Sequence, residues 1–161
     1  MVLVHGVPTL NTLYWTEDQP DSFCLKMANA AGLREGDLIA FGHTHKPWHR
    51  EVRGMHFVNT GSVGKPKDGD WRAGYMLVEA DQEISAVDLV RVEYDLERAV
   101  EGILRSELPD EFADQLRAGG TPNSPSCLED VFSETELPVL SFSETHPTGR
   151  ITDGFLVADL P

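Results

Sequence analysis

The sequence predicts an α/β fold, and three features of its first half support this prediction. Residues 2–4 and 37–41 are short apolar runs, which are typical of buried strands. A stretch with apolar residues at helical spacing lies between them and ends at Gly32. Each apolar run leads into a histidine, His5 in the first case and His43 in the second. Because open α/β sheets bind ligands at the carboxyl ends of their strands, this recurrence indicates a functional site.

The predicted helix between the two strands has recognisable capping residues. Asp21 and Ser22 offer side-chain oxygens to the first free N–H groups of the helix. Phe23, Met27 and Ala30 then recur at helical spacing, so one face is expected to be buried.

The rest of the first 120 residues is predicted from alternating apolar residues and turn residues. The expected elements are a hairpin over residues 50–61, strands over residues 74–80 and 84–94, and helices over residues 96–107 and 111–117. The hairpin is expected to turn at Arg53-Gly54, and Asp95 is expected to cap the first of the two helices.

Residues 121–161 differ in composition from the part before them. They are rich in Ser, Thr, Pro and Glu and have no sustained helical or strand period. We therefore predict one domain over residues 1–120 and a weakly ordered acidic tail over residues 121–161.

The charge of the chain limits its partners. Its 161 residues carry a formal net charge of −14. Binding to a nucleic-acid duplex or an anionic membrane requires clustered Lys and Arg, so neither partner is expected. An acidic chain that handles phosphates needs another source of positive charge, and bound metal ions provide one.

The two cysteines, Cys24 and Cys127, have no metal-binding or disulfide spacing. We interpret both as free thiols in a reducing compartment. No run of about 18 apolar residues occurs, so no membrane span is expected and the cytoplasm is the predicted location.

The motif Gly42-His43-Thr44-His45 is the strongest indication of chemistry. A pair of polar residues in a surface turn is the simpler interpretation of any H-x-H pattern. In an extended segment, however, residues two apart point to the same side, so both imidazoles would face one patch of space. His5 is the natural third nitrogen ligand, and imidazole suits zinc, manganese and iron.

A second motif, residues 59–64 with the sequence NTGSVG, follows the predicted hairpin. Closely spaced glycines and a small hydroxyl residue allow backbone N–H groups to approach an anion, although such turns are also common without that role. We predict Asn59, Gly61 and Ser62 as substrate-binding residues, with Lys46 as a basic contact to phosphate.

These motifs together resemble a known family. The strings VLVHG, FGHTHKP and VNTGSVGKPKDGDWRAGYMLVE are similar to the carboxyl half of the calcineurin-like metallophosphoesterases, in the bacterial branch with diadenosine tetraphosphatase-like and phosphodiesterase-like members. The resemblance covers about residues 1–120. It implies a four-layer α/β/β/α sandwich, here a partial one that lacks the amino-terminal half.

The resemblance also implies the site residues. His5 and His43 match ligands of the second metal ion of the family, and His45 matches a ligand of the first. The implied cofactors are two divalent ions (manganese, iron or zinc). The implied reaction is hydrolysis of a phosphoester, in a small molecule or a nucleotide, by a metal-bound hydroxide. The catalytic histidine of the family would lie upstream of Met1.

The sequence departs from the family in its acidic ligands. The D-x-H, GD and GNH motifs of the family are absent as a set, and the GD pairs at residues 36–37 and 69–70 are out of place. Three neutral imidazoles compensate none of the charge of two divalent ions, which repel each other at close range. We therefore expect a truncated or mis-started product, or one half of a split protein that an amino-terminal half complements.

Two alternatives remain open from the sequence. One is a mononuclear hydrolase in which the three histidines bind one zinc ion, and the other is a non-catalytic scaffold. His49 and His56 are interpreted as single surface or hairpin residues. Trp48 and Trp71 are interpreted first as local packing anchors in loops, with lining of the neighbouring cleft as the alternative.

Overall fold

A four-stranded mixed sheet and a separate two-stranded sheet form the framework of the computed structural model, which describes residues 1–81 and 83–120. The elements are, in chain order, β1 (Val2–Leu3), α1 (Asp21–Ala31), β2 (Leu38–Phe41), β3 (Trp48–Val52), β4 (Met55–Asn59), β5 (Ala73–Ala80), β6 (Ile84–Val92), α2 (Leu96–Leu104) and α3 (Glu111–Arg117). The larger sheet has the order β1-β2-β4-β3, in which β2 pairs in parallel with β1 and β4. The predicted α/β class is confirmed, while the four-layer arrangement stays a prediction.

Strand β2 is at the centre of the larger sheet, and all four of its residues are buried. Successive side chains of a strand point to opposite faces. Ile39 and Phe41 accordingly join one apolar cluster, and Leu38 and Ala40 join another. An apolar run without alternation, as predicted for this strand, therefore reflects burial on both faces.

The first apolar cluster is dominated by stacked aromatic rings. Trp15 stacks on Phe41 with ring centroids 4.2 Å apart, and Trp48 meets Phe41 edge-on at 5.0 Å. Trp48 is only 5% exposed. The interpretation of Trp48 as a packing anchor is confirmed, because Trp48 begins β3 and shares its buried face with Val52. Trp48 does not line the cavity described below.

The second cluster joins the two sheets. Strands β5 and β6 form an antiparallel pair whose Met76, Val78 and Val87 pack against the cluster that contains Leu38 and Val58. Each sheet thus buries one apolar face against the other, which is the general way in which two sheets form a common core.

The helix boundaries follow the predictions with two differences. Helix α1 has Pro20 at its N-cap without a side-chain cap, so Asp21 is the first helical residue rather than the cap. Helix α2 ends at Leu104 instead of residue 107. Asp95 does cap α2, where its carboxylate accepts a hydrogen bond from the N–H of Arg98 at 3.0 Å.

The turn between β3 and β4 lies where it was predicted. Arg53 and Gly54 both have positive φ, 52° and 68°. Positive φ at both central residues is typical of the two-residue turn that matches strand twist.

Within the described residues, no helix is long and apolar enough to cross a membrane. The predicted tail at residues 121–161, and Gln82 of the predicted turn between β5 and β6, lie outside the described residues.

Candidate functional site

The three histidines singled out in the sequence line one open cavity. The cavity has a volume of about 340 Å³, and its walls also include Gly61, Ser62 and residues of β5. It lies beyond the carboxyl ends of the parallel strands β1, β2 and β4, which is where open α/β sheets place ligands.

Strand pairing brings His5 to His43. The register pairs Leu3 with Ala40, and just beyond it the N–H of Gly42 donates to the carbonyl of His5 at 2.9 Å. The two imidazoles then meet, with Nε2 of His5 3.0 Å from Nδ1 of His43. Residues 38 positions apart are therefore neighbours because two parallel strands end at the same level.

The hydrogen bonds around His43 define which nitrogen carries a proton. Nε2 of His43 lies 3.2 Å from the carbonyl oxygen of Thr12, which can only accept. Nε2 of His43 is thus the donor, and Nδ1 of the neutral ring accepts. It follows that Nε2 of His5 donates the proton shared by the two rings.

His43 and His45 face the same cavity for a reason that differs from the predicted one. Both have left-handed backbone conformations, with φ of 65° and 59°, so the segment is not extended. Each such non-glycine residue costs about 1–2 kcal/mol. Thr44 between them is 5% exposed and turned away from the cavity residues into the interior. Strain of this kind persists where surrounding contacts impose the conformation.

Asn59 supplies those surrounding contacts. Its side chain is fully buried, and its amide group donates to the carbonyl of Gly42 at 3.1 Å and to the hydroxyl of Thr44 at 2.8 Å. Its side-chain oxygen accepts from the N–H of Gly61 at 3.0 Å. Asn59 therefore ties the histidine motif to the turn after β4. It does not line the cavity, and a contact of Asn59 with substrate stays a prediction.

The other predicted substrate-binding residues differ in position. Gly61 and Ser62 line the cavity, whereas Lys46 is exposed and is not among the cavity residues. The Ser62 hydroxyl accepts from the N–H groups of Gly64 and Lys65, at 3.4 and 2.9 Å. Several N–H groups of this turn thus have internal acceptors, so its shape is fixed without an anion.

His45 is held in the form in which histidine binds metals. Its Nδ1 lies 2.7 Å from the carbonyl oxygen of Lys65, so Nδ1 carries the proton and Nε2 keeps its lone pair. Burial lowers the pKa of His45, an effect that the neighbouring charges of Lys67 and Lys65 reinforce and the bond to Lys65 opposes. The ring is therefore neutral at neutral pH.

The acidic residues nearest the motifs are paired with arginines. Asp68 forms an ion pair with Arg91, and Asp70 lies 2.6 Å from a guanidinium nitrogen of Arg72. The hydrogen bond from Arg72 lowers the pKa of Asp70 to about 2. Neither carboxylate joins the histidines. Within residues 1–81 and 83–120, no group of three or more His, Cys, Asp or Glu side chains is arranged to hold a metal ion. The mononuclear three-histidine site stays a prediction.

Two of the histidines nevertheless fit a shared ion. Nitrogens that bind one ion at about 2.1 Å lie roughly 3.0 to 3.4 Å apart. The facing nitrogens of His5 and His43 are 3.0 Å apart, so one ion that displaces the shared proton is compatible with this spacing.

A second histidine pair lies away from the cavity. Nε2 of His49 is 3.1 Å from Nδ1 of His56, and the two rings stack with an interplanar angle of 13°. The interpretation of these histidines as single residues is wrong, because the β3–β4 register places His56 opposite Glu51, one diagonal step from His49. Strand alternation was the signal that could have found this pair.

Comparisons with known proteins relate this chain to a family and to two solved structures. Residues 1–83 match the calcineurin-like phosphoesterase superfamily domain. Over 99 residues the chain is 33% identical to an uncharacterized protein of Methanocaldococcus jannaschii. This match covers 52% of this chain and 40% of that protein.

Two solved structures are similar in fold. A metallophosphoesterase from Sphaerobacter thermophilus superposes with a TM-score of 0.59 and 26% identity, over 73% of this chain and 55% of that one. A hypothetical protein from Pyrococcus horikoshii gives a TM-score of 0.62 and 24% identity, over 74% and 47%. The chain thus spans between 40% and 55% of the length of these three proteins.

Proposed function

Because the chain belongs to the calcineurin-like phosphoesterase superfamily, we propose that His5, His43 and His45 bind divalent metal ions that serve the hydrolysis of phosphoesters. The observation that carries this proposal is the 3.0 Å separation between Nε2 of His5 and Nδ1 of His43. Two such nitrogens share either a proton or an ion, and the cavity beside them is open to a ligand.

The residues of this chain have distinct parts in the proposed site. His5 and His43 would hold one ion through their imidazole nitrogens. His45 presents Nε2 to a second position, because its Nδ1 is engaged by the carbonyl of Lys65. Asn59 keeps the histidine motif and the turn at Gly61 together, and the cavity face of that turn receives the phosphoester.

Charge balance indicates that further ligands come from outside the described residues. Three neutral imidazoles leave the charge of two divalent ions uncompensated, and the nearby Asp68 and Asp70 are engaged by arginines. We infer that a complementing segment supplies carboxylate ligands. When bound, the ions supply Lewis acidity that activates water and stabilises the phosphoryl charge. Imidazole and carboxylate together suit manganese, iron or zinc.

The substrate class follows from the cavity and from the charge of the chain. A cavity of about 340 Å³ accommodates the phosphoester group of a small molecule or a nucleotide. A net charge of −14 opposes binding of a nucleic-acid duplex, so the metal ions would hold the phosphate.

The test compares the chain alone with a longer product that includes the coding region directly upstream of the Met1 codon. Both are assayed with Mn²⁺ against p-nitrophenyl phosphate and bis-p-nitrophenyl phosphate. Metal-dependent turnover is expected in the longer product and should be abolished by His43→Ala. Turnover that His43→Ala leaves intact, or an inactive longer product that binds no Mn²⁺, would contradict the proposal. Equal activity of the chain alone would show that no complementing segment is required.

The matched control is His49→Ala. It removes a histidine that is also paired with another histidine at about the same distance, 3.1 Å, but that lies outside the cavity. Its activity should equal that of the unsubstituted protein.

A further inference from the structure

His45 depends for its orientation on residues 65–70, which we name the bridging segment. The carbonyl of Lys65 accepts from Nδ1 of His45 at 2.7 Å, and the N–H of Lys67 donates to the carbonyl of His45 at 3.2 Å. The bridging segment thus contacts both the ring and the backbone of His45. Because His45 has a left-handed backbone with φ of 59°, these contacts support a conformation that the residue alone disfavours.

The far side of the bridging segment packs against the end of α3. The N–H of Gly69 donates to the carbonyl of Gly119 at 3.0 Å. Gly119 and Gly120 are both buried, and a Cβ atom at Gly119 would lie 2.5 Å from the backbone nitrogen of Asp70. A Cβ atom at Gly120 would lie 2.6 Å from the carbonyl oxygen of Pro66. The two backbones therefore approach to a distance that only glycine permits.

Helix α3 makes one further contact with the bridging segment through a side chain. The ammonium group of Lys65 lies over the ring of Phe112, 4.4 Å from its centroid. A cation in this position is attracted by the ring face. The contact falls on the same residue whose carbonyl binds His45.

Helix α3 is itself fixed on α2. Val100, Ala113 and Leu116 form a buried cluster between the two helices. The guanidinium of Arg117 donates to the carboxylate of Glu97 at 2.8 and 3.2 Å. Both helices lie beyond residue 83, where the match to the superfamily domain ends. A part of the chain outside the matched domain thus contacts the segment that holds a residue of the cavity.

We propose that the carboxyl-terminal turn of α3, with Gly119 and Gly120, is a positioning element for His45 that acts through the bridging segment. The inference rests on the proposed function only in that it treats His45 as a metal ligand. The turn does not touch the cavity. It determines whether Nδ1 of His45 stays bonded to Lys65, and so whether Nε2 is the nitrogen that faces the ion.

The test uses the metal-free full chain and the variant Gly119→Ala. The matched control is Gly32→Ala, since Gly32 ends α1 with nearly the same φ, 70° against 66°, but has nothing within 4 Å of an added Cβ. Cooperative thermal unfolding of both variants first establishes that they fold. Two-dimensional ¹⁵N NMR of the imidazoles then reports the tautomer of His45, and hydrogen exchange reports the N–H of Lys67.

In the unsubstituted chain, His45 should be a single tautomer protonated on Nδ1. In Gly119→Ala, we expect a mixture of tautomers at His45 and exchange of the Lys67 amide that is about tenfold faster. The His5–His43 pair should be unchanged and serves as an internal reference. Gly32→Ala should match the unsubstituted chain in both measurements.

A folded Gly119→Ala variant with the original tautomer and exchange rate would overturn the proposal, as would an equal effect of Gly32→Ala. If Gly119→Ala does not fold, Phe112→Leu replaces it, and faster exchange at Lys67 is then expected. An unchanged rate in that variant would also overturn it. Neither measurement involves metal or turnover. A failure of the proposed function would therefore leave this inference standing, and a failure of this inference would leave the proposed function standing.

Discussion

Nε2 of His5 and Nδ1 of His43 lie 3.0 Å apart, although each residue follows a different strand. The contact exists because β1 and β2 are parallel and end at the same level. The carbonyl of Thr12 accepts a hydrogen bond from Nε2 of His43, so this nitrogen carries the proton of the His43 ring. A single proton, donated by Nε2 of His5, then lies between Nε2 of His5 and Nδ1 of His43. A separation of 3.0 Å also lies within the range for two nitrogens bound to one metal ion, which would sit to one side of the line that joins them.

Removal of either partner should weaken metal binding. We expect His5→Ala and His43→Ala to lower the affinity for Mn²⁺ by more than about tenfold, because each removes a direct nitrogen ligand. Isothermal titration calorimetry of the longer product used in the activity test measures this effect. His56→Ala removes a histidine outside the cavity and should leave the affinity unchanged. An equal loss in all three variants would show that the binding is not at the cavity.

The side chain of Asn59 should stabilise the folded state through its three hydrogen bonds. In Asn59→Ala, three buried or half-buried groups of Gly42, Thr44 and Gly61 lose their partner. We expect a loss of about 2–4 kcal/mol in the free energy of unfolding, measured with urea. Asn29→Ala is the control, since Asn29 is exposed on α1, and it should change the free energy by less than about 0.5 kcal/mol.

The His49–His56 pair makes stability depend on pH. Burial lowers the pKa of His49, and the charge of His56 lowers it further, while Glu51 opposes the shift. The unfolded chain therefore takes up a proton at a higher pH than the folded chain does. Stability should fall as pH falls through the ordinary range of histidine, near about 6.5. Urea unfolding at about pH 7.5 and 5.5 should show a smaller loss for His49→Gln than for the unsubstituted chain. An equal loss would contradict this assignment.

The pH dependence from Asp70 has the same direction as that from His49 but lies at lower pH. Its pKa is lowered to about 2, first by the side-chain hydrogen bond from Arg72 and also by the charges of Arg72 and Arg91, while desolvation opposes the shift. Its contribution to stability is fully present above the ordinary pKa of 3.8 and is lost as pH falls toward about 2. The urea midpoint of Asp70→Asn should lie below that of the unsubstituted chain at neutral pH. This difference in midpoint should become smaller as the pH falls toward about 2. Arg72→Gln should show the same decrease in the midpoint difference, because it removes the arginine that pairs with Asp70.

The parts of the fold that sequence predicts well are those with a local cause. The apolar run of β2, the turn at Arg53-Gly54 and the Asp95 cap each depend on a few adjacent residues, and each is found where it was predicted. The cavity position of His43 and His45 was also anticipated, because a strand end is a local feature.

The parts that sequence reasoning missed depend on partners distant in the chain. The left-handed conformations of His43 and His45 are supported by Asn59 and the bridging segment, which lie 14 to 27 residues away in sequence. Trp48 was expected in a loop beside the cleft, because its sequence context hid the strand that buries it. The pairing of Asp68 with Arg91 likewise depends on β6 and could not be read from the motif.

The most direct test of the central claim is a Mn²⁺ titration, followed by NMR, of the longer product that includes the coding region upstream of the Met1 codon, because the paramagnetic ion broadens signals close to it. The account predicts that the imidazole signals of His5, His43 and His45 broaden first, together with the amides of Gly61 and Ser62, while those of His49 and His56 persist. Broadening that begins at His49 and His56, or that affects no histidine at all, would contradict the assignment of the cavity as the metal site.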